Sequence, residues 1–206
     1  MKVFVSGIGT DVGKSVVSAV LIEVLGADYW KPIQTGDKDT DFVTSLVSRN
    51  FVLHPSAYTF KKPASPHVAA QLENATIQPE KLMLPETNNH LIVEGAGGLM
   101  VPLNHQFLVI DLIQQLQLPV ILVSRHYLGS INHTLLSIEM LQKRNIPLLG
   151  VVFNGNDNKD SENAILNFGK TIKLCSVEEE MEMNKQTVKK YAAGFSEEFS
   201  KLFGKP

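Results

Sequence analysis

The residues from Gly7 to Ser15, Gly-Ile-Gly-Thr-Asp-Val-Gly-Lys-Ser, follow the apolar run Val3-Phe4-Val5 and precede an apolar stretch from Val16 to Leu21. A glycine-rich turn between a strand and a helix can aim several backbone N–H groups inward at an anion. The helix N-terminus adds its partial positive charge. In such a turn Lys14 reaches the terminal phosphates of a nucleotide, and Ser15 offers its hydroxyl to magnesium. The usual pattern places about four residues between its glycines, whereas Gly7 and Gly13 enclose Ile8, Gly9, Thr10, Asp11 and Val12. Either Gly9 takes the turning role or the loop is one residue longer.

Magnesium prefers octahedral oxygen coordination and usually takes one or two carboxylates besides phosphate and water. Glu94 closes the apolar run Leu91-Ile92-Val93 and is followed by Gly95, Ala96, Gly97 and Gly98, small residues that let a ligand approach the backbone. A carboxylate ending so apolar a strand is a candidate metal ligand. Asp41 opens a helical stretch, a position where aspartate most often serves as a cap.

Short β-branched runs supply the scaffold these groups need. They are Val3–Ser6, Leu91–Glu94, Pro119–Ser124 and Leu148–Phe153, with weaker candidates at Asp28–Lys31 and Thr171–Cys175. Helical stretches are expected over residues 13–25, 41–49, 108–116, 130–144, 160–168 and 185–203. Strand and helix in alternation predict a three-layer, doubly wound α/β fold with a mainly parallel sheet. Ligands of such sheets bind beyond the carboxyl ends of the strands, where the polar residues above lie. The stretch from His54 to Thr87 holds Pro55, Pro63, Pro66, Pro79 and Pro85 and reads as loop and short helix laid over that edge. At the far end Val188, Tyr191, Phe195, Phe199 and Phe203 suit packing of the last helix on the sheet.

A chain of 206 residues fits one domain spanning residues 1–206. Net charge is −2, from 19 basic and 21 acidic residues spread along the chain, which argues against nucleic acid or an anionic membrane as partner. Cys175 is the only cysteine; it can form no intramolecular disulfide, and a reducing cytoplasm is the natural setting. No apolar run approaches the ~20 residues of a membrane span, and the N-terminus lacks a secretory core.

Six segments in order resemble the dethiobiotin synthetase family. They are Gly9–Ser15, Tyr29-Trp30-Lys31-Pro32-Ile33-Gln34-Thr35-Gly36, Tyr58–His67, Val93–Gly98, Leu118–Val123 with Leu128–His133 behind it, and Val151–Asn154. The resemblance implies a P-loop NTPase-like ligase that uses ATP and Mg2+ to close the cyclic urea of dethiobiotin from 7,8-diaminopelargonic acid and CO2. The route runs through a carbamate and a carbamic-phosphoric anhydride. Lys14 and Lys31 would hold the terminal phosphate and the carbamate, with Lys31, fixed from behind by Pro32, as the catalytic lysine and Thr10 as a hydroxyl near the carbamate. Asp11, Val12, Gly13, Ser15 and Val16 would line the nucleotide beside Gly95, Ala96 and Gly97, and Ser15, Asp41 and Glu94 would form the metal environment. Thr35 and Ser65 match positions at the substrate's amines or carbamate, although hydroxyls in turns commonly bond to backbone. Asn154 matches an adenine-reading asparagine, and an Asn154-Gly155 turn accounts for it equally well. Gly129, Ser130, Ile131 and Asn132, before a long helix, match a segment that receives the substrate carboxylate from the neighbouring subunit, which implies a homodimer with shared sites. His67 and His133 are expected to be structural.

Three departures stand out. The loop reads Ile8-Gly9 where the family favours Thr-Asp, and Tyr127 replaces a lysine, leaving that contact missing or supplied by Arg125 or His126. After Leu174 the chain reads Cys175-Ser176-Val177-Glu178-Glu179-Glu180 without the family's Gly-x-Ile-Pro segment beside the base. Two other readings share the loop. A cobyrinic acid diamide synthase-like amide ligase would need an amidotransferase cysteine in a glycine-rich elbow. A partition-type ATPase switch would carry a second lysine early in the loop, and Ile8 to Val12 contain none.

Overall fold

The computed structural model describes residues 1–36 and 39–203, with side chains through residue 200; the Phe203 side chain therefore lies outside the described residues. Among the described residues nine strands and seven α-helices follow one another, with one 3-10 turn at Pro79–Lys81. The strands are β1 (Lys2–Gly7), β2 (Asp28–Trp30), β3 (Ile33–Thr35), β4 (Leu53–His54), β5 (Tyr58–Phe60), β6 (Leu91–Gly98), β7 (Val120–Arg125), β8 (Leu148–Asn154) and β9 (Lys173–Val177). The helices are α1 (Lys14–Leu25), α2 (Asp39–Leu46), α3 (Pro66–Leu72), α4 (Val109–Leu116), α5 (Ser130–Lys143), α6 (Lys159–Gly169) and α7 (Lys185–Phe203).

Seven strands form one parallel sheet in the order β4-β2-β6-β1-β7-β8-β9. Alternate residues of β1 enter different cores. Val3 and Val5 pack with Val17 and Leu21 of α1 and Phe195 of α7, and Phe4 packs with Trp30, Val93 and Ile110. Burial on both faces is why these strands read as unbroken apolar runs rather than as alternation. Val188, Phe195 and Phe199 are buried, and Tyr191 packs against the same core.

The order matters for chemistry, because β2, β6 and β1 are neighbours. The loop after β1, Lys31 just past β2 and Glu94 within β6 all reach the same carboxyl edge. Between its pairings with β6, β1 advances from Val5 to Gly7 while β6 advances from Glu94 to Gly98. The small residues Gly95, Ala96 and Gly97 therefore bulge immediately after Glu94 and re-aim the strand end, as bulges beside active sites do.

The proline-bearing stretch is more ordered than its composition predicts. β5 pairs in parallel with β3, setting Thr35 opposite Phe60, and α3 starts directly after Ser65. Gly36 (φ 67) turns tightly there, where a Cβ would sit 2.7 Å from Pro63. Strands of two or three residues show no periodicity, so β3, β4 and β5 leave no pattern in the sequence. α2 also differs from expectation. It begins at Asp39 and ends at Leu46, because the chain leaves the helix to tie itself to α1, where Arg49 Nη1 donates to the Glu23 carbonyl at 2.7 Å.

Candidate active site

The loop after β1 resolves its own spelling. A Cβ on Gly7 would lie 2.5 Å from a Val12 methyl and 2.9 Å from the Gly9 carbonyl, and a Cβ on Gly13 would fall inside the Asn154 carboxamide. Gly9 has room, its nearest neighbour being a Val12 methyl 4.0 Å away. The two glycines without space are Gly7 and Gly13, so the loop is the longer form, and Gly9 is not its sterically required turn. Asp11 (φ 55) and Gly13 (φ 96) take left-handed conformations that bend the loop back on itself. Gly13 caps α1 with no side-chain hydrogen bond, which leaves the first-turn amides for an anion.

Lys14 and Lys31 approach the same place from different strands. Lys14 Nζ donates to the Gly9 carbonyl at 2.9 Å. Burial holds its pKa below the ordinary lysine value, and the nearby Lys31 charge adds to that, partly countered by Glu94, Asp39 and Asp11. Lys31 is 4% exposed, donates to Glu94 Oε1 at 2.9 Å and pairs with Asp39. Burial alone would lower its pKa, but the charges of Glu94 and Asp39 outweigh it and hold the ammonium above its usual value.

Glu94, 1% exposed, is the hub. Oε1 accepts from Lys31 and from Ser15 Oγ at 2.8 Å; Oε2 accepts from Ser18 Oγ at 2.7 Å and Tyr29 Oη at 2.9 Å. Burial pushes its carboxyl up, yet the Lys31 charge and the hydrogen bonds from Lys31, Ser18 and Ser15 prevail, keeping it below the ordinary value. The glutamate is ionised and fully partnered.

Asp39, not Asp41, completes this cluster. Asp39 Oδ1 lies 3.4 Å from Ser15 Oγ, and Gln34 Nε2 is 3.4 Å from Oδ2. Asp41 is exposed and does not border the cavity. Both aspartates belong to the first turn of α2, and residues two apart on a helix face different directions; only the helix start, two residues earlier than the sequence suggests, tells them apart. Ser18 lies in none of the six segments, and Tyr29 and Gln34, though inside the segment Tyr29–Gly36, carry no role that the segment itself announces. Their one signal is a polar residue inside an apolar element.

These groups border a cavity of about 770 Å³. It takes in Thr10, Asp11, Val12, Gly13, Lys14, Ser15 and Val16 from the loop and α1, Lys31 just past β2, Thr35 of β3, and Ser65, Glu94, Ala96 and Gly97. Ser65 makes no capping hydrogen bond to α3, so its hydroxyl is not spent on the helix. Gly95 is not part of the wall: it faces the core, where a Cβ would meet the Phe4 ring at 2.7 Å. Ser15, Asp39 and Glu94 give a hydroxyl and two carboxylates, a donor set that suits a magnesium ion completed by phosphate and water. Among the described residues no group of three or more His, Cys, Asp or Glu gathers to hold a metal.

The remaining predicted residues lie elsewhere. Asn154 donates from its side-chain amide to the Val12 carbonyl at 2.8 Å, bracing the loop from outside the cavity. Gly129, Ile131 and Asn132 border a second cavity of about 880 Å³, together with Arg125, Tyr127 and Glu179; Ser130 is buried. Tyr127 Oη is 2.7 Å from His133 Nδ1, and Arg125 Nη1 donates to the Asp11 carbonyl at 3.2 Å. His126 stacks on Phe153, with Nε2 3.3 Å from Glu162 Oε1, so its ring is engaged with the body of the fold. Among the described residues no helix is long and apolar enough to cross a membrane.

Comparison with known proteins finds relatives over most of the chain and likenesses of fold among solved structures. A family model described as an AAA domain matches residues 1–187. A protein of Christiangramia forsetii named ATP-dependent dethiobiotin synthetase is 47% identical over 196 residues, 93% of this chain and 94% of its own length. A protein of the same name from Cytophaga hutchinsonii is 48% identical over 195 residues, 93% of this chain and 95% of its own. Among solved structures, a ParA family ATPase from Chlorobium tepidum superposes with a TM-score of 0.56 at 13% identity, covering 93% of this chain and 97% of its own. That likeness concerns the fold alone.

Proposed function

The chain belongs to the dethiobiotin synthetase family, and we propose that the cavity around Glu94 is where its ATP-dependent ring closure takes place. The enzyme is a ligase that converts 7,8-diaminopelargonic acid to dethiobiotin in biotin biosynthesis. The observation that carries the assignment is the convergence of Lys31 and Ser15 on both Glu94 and Asp39 at the mouth of the Lys14 loop.

The chemistry runs in three steps. One amine of the substrate attacks CO2 and loses a proton, giving a carbamate. A carbamate oxygen attacks the terminal phosphorus of ATP, and ADP leaves. The second amine then attacks the carbonyl carbon and loses a proton, and phosphate departs as the ring closes. Lys14 and Lys31 hold the triphosphate tail and the carbamate and offset the negative charge that moves between them. Ser15, Asp39 and Glu94 would hold magnesium, which neutralises phosphate oxygens in such transfers. Thr10, Thr35 and Ser65 would orient the carbamate and free amine, since alignment is most of what a phosphoryl-transfer site supplies.

The loop residues from Asp11 to Val16 cradle the phosphates, with Ala96 and Gly97 opposite and Asn154 behind the loop near the base. Gly129 to Asn132 lie outside the Lys31 cavity, which supports the reading that they take the substrate carboxylate for a neighbouring subunit of a homodimer. We place the enzyme in the cytoplasm, where ATP is at hand. A partition-type switch rests only on the shared fold and predicts ATP hydrolysis indifferent to the diamine.

The test is phosphate release from ATP in the presence of magnesium and bicarbonate, with and without 7,8-diaminopelargonic acid. Release that requires the diamine is the expected result. Release unchanged by the diamine would overturn the assignment.

A further inference from the structure

The four donors around Glu94 divide evenly between its oxygens, and the two halves differ in kind. Oε2 is held at 2.7 Å by Ser18 and at 2.9 Å by Tyr29, both fully buried. Ser18 is buried within α1, and Tyr29 is buried in the same core cluster as Val43, Leu46 and Ile92. Neither donor has anywhere to go, so the carboxylate cannot turn without breaking two short hydrogen bonds in the core. Oε1 faces the cavity, and its partners are Ser15 and the ammonium of Lys31.

Lys31 is thus lodged between Glu94 and Asp39, the two carboxylates that with Ser15 make up the divalent-metal donor set. An ammonium bonded to both carboxylates takes up the negative charge that would draw a metal to them, and two cations repel each other at close range. Lys14 does not relieve the conflict, because its own ammonium is turned to the Gly9 carbonyl. Unlike the rigid donors to Oε2, Lys31 has a four-carbon stem with freely rotating bonds. It is the partner able to leave.

The geometry points to Tyr29 and Ser18 as positioning residues that make Glu94 a seat for one cation at a time: Lys31 fills it until a divalent metal enters with the nucleotide, and the displaced ammonium passes to the transferred phosphoryl group. This rests on reading the cavity as a metal–triphosphate site. It makes metal entry and the arming of Lys31 a single event, so the protein without nucleotide keeps its catalytic lysine neutralised.

The experiment is Mn2+ binding followed by the loss of the free-ion electron paramagnetic resonance signal, on the wild type, Lys31→Met and Tyr29→Phe. Without nucleotide, Lys31→Met is expected to bind Mn2+ at least tenfold more tightly than the wild type. Equal or weaker binding overturns the exchange. Tyr29→Phe is expected to weaken binding of Mn2+ with a non-hydrolysable ATP analogue several-fold while leaving metal-free analogue affinity unchanged. Equal effects on both forms, or none, overturn the positioning role. Should Lys31→Met fail to fold, Lys31→Gln, which keeps a donor but no charge, reads the same quantity. Failure of the wild type to bind the analogue with or without metal would instead sink the assignment of the cavity itself.

Discussion

Asp39 turns its carboxylate onto the Lys31 ammonium, while Asp41, in the same helical turn, is exposed. The pair is a natural control, with the same side chain and the same helix in different surroundings. Asp39→Asn removes one of two carboxylates from the proposed metal set, and outer partners of metal ligands alone cost roughly 10–100-fold in affinity or activity. A loss of at least that size in turnover, with a raised magnesium requirement, is expected for Asp39→Asn. Asp41→Asn should stay close to the wild type. Steady-state rates across a magnesium titration distinguish the two, and matching losses would contradict the placement.

The contrast marks what sequence could deliver. β1, β6, β7 and β8 announce themselves because burial on both faces forces continuous apolar runs. The loop from Gly7 to Ser15 is legible because backbone geometry demands glycine at fixed points. Asp39 was not legible, since capping aspartates look alike until the first helical residue is known. Tyr29 and Ser18 were hidden for a different reason. Their partner, Glu94, is far away in sequence and reaches them only because β6 lies between β2 and β1. The β3–β5 pairing that brings Ser65 round to Thr35 is likewise a tertiary fact, carried by strands too short to have a period.

Lys31→Ala should separate binding from chemistry. Nucleotide affinity in the presence of magnesium is not expected to fall, since Lys14 and the loop amides hold the phosphates and loss of the Lys31 ammonium leaves Glu94 open to the metal. Turnover should fall by roughly 10²–10³-fold, the usual cost of removing one preorganised charge from a transition state. Calorimetry with a non-hydrolysable analogue alongside single-turnover rates makes the comparison. Parallel losses in both would mean that Lys31 is a ground-state binder.

Gly13 and Gly9 predict opposite outcomes for the same change. Gly13→Ala forces a side chain into the Asn154 carboxamide at φ 96, a conformation that costs of order 1–3 kcal/mol before the collision is counted. Nucleotide binding should be lost. Gly9→Ala meets only a methyl at 4.0 Å and should bind nearly as the wild type does. A fluorescent nucleotide titration of both variants decides whether the longer loop is read correctly.

Asp28 supplies a pH-dependent part of the stability at the opposite edge of the sheet. Burial pushes its carboxyl up, but hydrogen bonds from Thr87, the Val52 amide and Asn89, with His54 at 3.5 Å, more than compensate. The folded protein therefore holds Asp28 below the ordinary carboxylate value of about 4. As pH falls the unfolded chain takes up this proton first. The stabilisation is complete above the unfolded value and disappears as pH falls through the folded one. Asp28→Asn, which confronts Thr87 and Asn89 with an amide, should cost about 1–3 kcal/mol at neutral pH. Urea denaturation of both proteins should show that gap closing with acid, and a gap independent of pH would deny Asp28 its charge.

A shared site makes a prediction no single variant can. Lys31→Ala disables the phosphoryl-transfer cavity, and Gly129→Val disturbs a residue at φ 103 that begins the segment bordering the second cavity. If each site draws Lys31 from one subunit and Gly129 to Asn132 from the other, a mixed dimer has one doubly broken site and one intact. Random exchange of equal amounts makes about half of the dimers mixed, so about a quarter of wild-type sites should be restored from two nearly inactive proteins. If each chain instead used its own segment, every site in the mixture would carry one lesion and no activity would return. Co-expression with two different tags, followed by assay of the doubly purified species, isolates the mixed dimer and reads the answer directly.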